Sequence, residues 1–127
     1  MVNLIDALGA AEASSADKIT IYVPSRDRHG NVVDFEPWVS RAMEILSNVG
    51  GGATRFPSAQ GAWQNPESGN LIVEEVTLVY AFVDGDTLVA WLPEIRQFLH
   101  EMGHALDQGE VVVEINEALY KMRKFDV

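Results

Sequence analysis

The chain contains no cysteine. That single absence excludes a disulfide framework, an iron–sulfur centre, a thiolate zinc site and a cysteine nucleophile. It fits a reducing compartment, so the expected location is the cytoplasm. Positive charge is scarce: 9 Lys and Arg stand against 19 Asp and Glu, for a formal net charge of -10. Such a surface repels phosphate backbones, so direct nucleic-acid binding is not expected. A basic protein surface or a small molecule is the better partner, although solubility alone also accounts for the charge. No apolar run reaches the roughly 20 residues that a membrane helix needs, so no membrane partner is expected. The first residues carry only Asp6 and Glu12 as charges, which is unlike a secretory signal.

The chain has 127 residues, 47% of them hydrophobic. That suits one domain with its own core. Residues 1–17 read as an N-terminal extension in which Leu4, Ile5 and Leu8 form a small apolar face, followed by a linker at Ser14-Ser15-Ala16-Asp17. The domain proper is expected at 18–127. Lys18 to Val23 alternates as a strand does, with Ile19, Ile21 and Val23 on one side. Phe35 to Val49 has a helical stripe of Trp38, Ala42, Ile45, Leu46 and Val49. Asp34 is placed to cap it, Pro37 suits its first turn, and Gly50-Gly51-Gly52 stops it. Ala53 to Trp63, broken by Pro57, and Leu71 to Val83 read as a hairpin around the turn signals of Asn65 to Asn70. After the turn Asp84-Gly85-Asp86, Thr87 to Asp107 has a second stripe of Leu88, Leu92, Ile95, Leu99, Met102 and Leu106, with Pro93 in its first turn or at a kink. Glu110 to Ile115 and the short Ala118 to Lys124 complete the strands.

The order strand, helix, strand, strand, helix, strand is the ferredoxin-like βαββαβ arrangement of an α+β domain. It predicts a four- or five-stranded antiparallel sheet with two helices on one face. The other face is then open, and Tyr22, Trp63, Tyr80 and Phe82 are candidates to line it. An apolar patch of that kind marks an interface, which points to a homodimer.

Three groups of residues bear chemistry. Gly52-Ala53-Thr54, Gly61-Ala62-Trp63 and Glu74 form a GxT…GxW…E pattern that resembles uncharacterised small bacterial α+β proteins. Glu74 interrupts the apolar row Ile72, Val76, Leu78, Tyr80 and Phe82. A carboxylate there is costly unless it is paired or wet, and a raised pKa makes it an acid–base candidate; a bulge turning Glu74 and Glu75 outward is the other reading. Thr54, Trp63 and Glu74 are thus candidate binding residues. Arg26 and Arg28, in Arg26-Asp27-Arg28-His29, are candidates to hold a phosphate or carboxylate, unless that loop is merely solvated.

The third group is His100-Glu101-Met102-Gly103-His104, an HExxH segment on an expected helix. It resembles the zincin metallopeptidases over about Phe98 to Leu106. The resemblance implies His100 and His104 as zinc ligands and Glu101 as the general base. The residues equally fit two histidines on the partly exposed flank of an amphipathic helix, with no metal bound. Two functions follow: a small acidic binding or regulatory module acting as a homodimer without a cofactor, or a small zinc-dependent hydrolase.

Overall fold

The computed structural model describes residues 1–13, 17–64 and 67–127. The expected linker at Ser14-Ser15-Ala16 and the Asn65-Pro66 part of the hairpin turn lie outside them. The elements are α1 (Leu4–Leu8), β1 (Asp17–Pro24), α2 (Glu36–Gly50), β2 (Thr54–Gln64), β3 (Leu71–Val83), α3 (Gly85–Ala105), β4 (Val111–Ile115) and β5 (Ala118–Met122). The five strands form one sheet in the order β2-β3-β1-β4-β5, and every neighbouring pair is antiparallel.

Alternation decides which face is covered. Ile19, Ile21 and Val23 of β1, Val79, Ala81 and Val83 of β3, and Val111 and Val113 of β4 are all buried against α2 and α3. Both long helices therefore share one sheet face. α2 contributes Val39, Ala42, Leu46 and Val49 to the core. Trp38 and Ile45 are half-buried at its margin. The tilted rings of Trp38 and Phe98, 5.9 Å apart, join α2 to α3, and the Arg41 guanidinium lies 4.8 Å from the Trp38 ring centroid.

Several local expectations need correction. Asp34 does not cap α2: the N-cap is Phe35, in helical conformation and without a side-chain hydrogen bond. Pro37 supplies a preset backbone angle there instead, and the α2 first-turn Glu36 pairs with Arg55 of β2. α3 starts earlier than its apolar stripe, because Asp84 accepts from the Thr87 N–H at 3.1 Å and closes the first turn. Pro93 sits inside α3 on an exposed side. Leu92 is 39% exposed rather than core. The buried stripe turns toward the large side chains Trp91 and Phe98, which leaves Leu92 at its edge. Among the described residues, little covers the apolar side chains of α1: Leu4 and Leu8 are 68% and 78% exposed.

The break at Pro57 is a β-bulge. Phe56 faces Leu78, but Ala59 faces Val76, so Pro57 and Ser58 together oppose Thr77. Ser58 takes the left-handed conformation at φ 59°. The extra residue changes which face the odd-numbered residues occupy. Gly61 and Trp63 thereby align with Glu74 and Ile72 on the open face.

Phe98 is fully buried between both helices and the sheet. Phe98→Ala is expected to lower unfolding stability by about 3–5 kcal/mol, read from denaturant midpoints at an unchanged slope.

Candidate ligand cleft beside the central strand

β1 pairs with β3 only from Asp17 opposite Val83 to Pro24 opposite Val76. Residues 71–75 of β3 run on with β2 as partner alone, and the chain after Pro24 peels away toward α2. Between the departing loop and the projecting hairpin lies a cleft of about 310 Å³. Its walls include Arg26 and Val32 of the loop, Phe35 at the start of α2, and Gln60, Val73 and Glu74 of the hairpin.

The walls are tied together. The Ser25 hydroxyl donates to the Glu75 carbonyl at 2.5 Å. Arg26 forms a bridge with Val32, and its guanidinium Nη1 donates to the Gly30 carbonyl at 2.9 Å. The Asp27 carboxylate accepts from the backbone N–H groups of His29 at 2.8 Å and Asn31 at 2.9 Å. The buried Gln108 side chain, just past α3, donates to the Arg26 carbonyl at 2.7 Å. These bonds tie the loop to its own turn and to the segment just past α3.

Glu74 stays in the row with Ile72, Val76 and Leu78 and is half-buried. The irregularity sits on β2, not at Glu74-Glu75. Burial raises the Glu74 carboxyl above its ordinary value, and the charge of Arg26 opposes part of that rise. Gly61, directly opposite, has no side chain to cover the carboxylate. Trp63 is a diagonal neighbour on the same face and is 49% exposed.

The candidate residues thus separate. Arg26 and Glu74 share the cleft, with Trp63 beside it. Arg28 is engaged elsewhere, in an ion pair with Asp107 at 2.9 Å. Thr54 is exposed opposite Tyr80, toward the other end of β3. Sequence reasoning missed Gln60, Val32 and Phe35 as wall residues, and Gln108 as a support. Only the meeting of loop, helix start and hairpin reveals them.

The HExxH segment has a different setting. His100 is buried at 7% exposure, a correction to the partly exposed flank expected for both histidines. The segment after β5 covers it: the Phe125 ring stands edge-on at 5.9 Å, and Asp126 Oδ1 lies 3.1 Å from His100 Nδ1. A Cβ at Gly103 would collide with the Phe125 ring, so the glycine makes room for it. Asp126 also pairs with Arg96 at 2.5 Å, which, with the nearby His100, holds its carboxyl below the usual range. Glu101 accepts from Gln97 and Arg41, each at 2.9 Å, and both contacts lower its pKa. His104 is exposed. Among the described residues, no group of three or more His, Asp or Glu is placed to hold a metal ion. Glu110 pairs with Arg123 at 3.0 Å.

No protein-family profile and no curated protein sequence matches this chain. Solved structures do. A phage SAM lyase in complex with S-methyl-5'-thioadenosine superposes with a TM-score of 0.62 at 16% identity, over 88% of this chain and 93% of that one. A phage SAM lyase in the apo state gives 0.58 at 15% identity, over 92% and 99%. The divalent ion tolerance protein CutA1 from Ehrlichia chaffeensis gives 0.49 at 7% identity, over 91% and 87%. The likeness is one of fold.

The raised Glu74 carboxyl has a pH signature. The folded state holds that proton more tightly than the unfolded chain, so its favourable contribution is full below about pH 4.5 and is lost as pH rises through the raised value. Glu74→Gln is therefore expected to be more stable than the parent chain at neutral pH, with the gap closing in acid. Thermal melts across pH check this. A neutral-pH loss of stability on substitution contradicts it.

Proposed function

We propose that this chain is a ferredoxin-like small-molecule-binding module that works as a homodimer, with its ligand in the cleft between Arg26 and Glu74. The observation that carries this reading is Glu74: a half-buried carboxylate with a raised pKa, lining a cleft of about 310 Å³. Ligand pockets begin at about 300 Å³ and combine an apolar lining with a few convergent polar groups. Val32 and Phe35 supply the first, and Arg26 and Glu74 the second.

Self-association rests on the open sheet face. Phe56, Trp63 and Phe82 are 57%, 49% and 52% exposed there, with Tyr22 and Tyr80 half-buried among them. Covering these rings with a second copy removes apolar area from water. Light scattering is expected to give twice the chain mass, and Phe82→Glu to shift the species toward monomer. A monomer at all concentrations refutes this part of the reading.

A second, enzymatic reading has its own support: lyase activity on SAM (S-adenosylmethionine). The phage SAM lyases share the fold across most of this chain, and a half-buried carboxyl raised by its burial is a candidate for proton transfer. Incubation with SAM is expected to release S-methyl-5'-thioadenosine, with Glu74→Gln slowing release by about 10²–10⁴-fold. No release, or release unaffected by the substitution, rejects the enzymatic reading. A zinc hydrolase built on His100, Glu101 and His104 has no comparable support, since Asp126 and Arg41 already engage His100 and Glu101.

A further inference from the structure

The edges of the sheet are not protected alike. The outer edge of β2 is broken by the bulge at Pro57 and Ser58. On the other side the sheet ends in β5, a strand of five residues that carries Lys121. A proline, a bulge, a lysine or a short strand hinders the pairing of a further strand. A third edge lies inside the sheet. Beyond Val76, the stretch Leu71-Ile72-Val73-Glu74-Glu75 of β3 has β2 as its partner on one side alone. It contains no proline, lysine or bulge. Among the described residues, no strand takes the lane that β1 leaves there.

Backbone and side chains divide cleanly around this edge. The Ser25 hydroxyl donates to the Glu75 carbonyl, so the backbone groups of Glu75 face the vacant lane. Strand alternation puts those of Val73 and Leu71 on the same side. The side chains of Leu71, Val73 and Glu75 point to the helix-side face, and that of Glu74 to the open face. Val73, Glu74 and Glu75 nevertheless line one cleft. Side chains from both faces of a strand meet one space only around its edge, so the cleft follows the lane rather than either face.

We propose that the cleft takes a short basic peptide in extended form, which adds to the sheet as a strand beside residues 71–74 of β3. The pairing is antiparallel, as between all other neighbours in this sheet. The peptide exchanges main-chain hydrogen bonds with Val73 and Leu71, and its side chains alternate between the two faces. Those beside Val73 and Leu71, both exposed apolar residues, are apolar. The one beside Glu74 is cationic. Charge sets that preference: Glu74 and Glu75 stand against a single cation of the cleft, Arg26, whose Nη1 is already given to the Gly30 carbonyl. The net charge of -10 favours the same sign of partner. The proposal rests on the cleft being the ligand site, and it makes a peptide main chain the ligand.

Calorimetry on the full chain tests this with acetyl-Lys-Val-Lys-Val-amide, which sets its first lysine opposite Glu74 and its first valine opposite Val73. The peptide is expected to bind. N-methylation of its first valine, which removes the N–H aimed at the Val73 carbonyl, is expected to weaken it at least about tenfold. Glu74→Gln, or acetyl-Glu-Val-Glu-Val-amide in place of the basic peptide, is expected to cost a similar factor. Val73→Pro is expected to abolish binding while the hairpin stands, because that N–H faces away from β2. Melting curves check that each variant is folded, and the N-methylated peptide probes the pairing without altering the chain. An N-methylated or acidic peptide that binds as tightly as the parent overturns the proposal. If Val73→Pro turns a dimer into a monomer in light scattering, a second copy fills the lane and the proposal falls. If S-methyl-5'-thioadenosine binds with NMR shifts at Val32 and Phe35 while the peptide does not, the cleft stands as a ligand site and the peptide proposal falls. If neither probe binds, both claims fall.

Discussion

The pairing of β1 with β3 stops at Pro24 and Val76 while β3 continues to Leu71. Much of the molecule depends on that unequal length, eight residues against thirteen. The shared stretch builds the core, because Ile19, Ile21 and Val23 lie beside Val79, Ala81 and Val83 under the helices. The unshared stretch exposes one edge of β3 and forces the chain to bridge from the sheet to α2. An uncovered strand edge is a liability that a folded chain shields with a loop. Here the loop does so from a distance, and the separation is the cleft.

The same hairpin carries a second constraint. The bulge at Pro57-Ser58 reverses the facing of the outer part of β2. It places a glycine opposite Glu74 and a tryptophan diagonal to it. Without the extra residue, Trp63 would point to the helix side and Glu74 would face a different neighbour. One residue with a positive φ, Ser58, thus decides which side chains share a surface with the carboxylate.

The HExxH segment shows how a motif and its setting diverge. The spacing puts two imidazoles on one side of a helix, as a zinc site requires. The tail after β5 then covers the His100 end of that side and leaves His104 exposed: Phe125 packs over Gly103, and Asp126 reaches both Arg96 and His100. The glycine between the histidines serves the packing of an aromatic ring, and the first histidine becomes part of the anchor.

Most of the fold was legible in the sequence because its signals are local. Alternation in 19–23 and 111–115, the helical stripe of α2 and the glycine stop at Gly51 all follow from backbone geometry within a few residues. So did the suspicion that Glu74 is out of place in an apolar row, since a carboxylate there needs a reason wherever the strand lies. The meeting of Arg26 with Glu74, the reversal of Trp63, the engagement of Arg28 by Asp107 and the burial of His100 were not legible. Each depends on register or on contact between segments far apart in the chain, and those contacts are fixed by the joint packing of strands, loop and tail. The sequence by itself determined the elements and their apolar faces; the tertiary structure alone decided which charges are paired and which are left facing a cleft, because an ion pair forms through space and not along the chain.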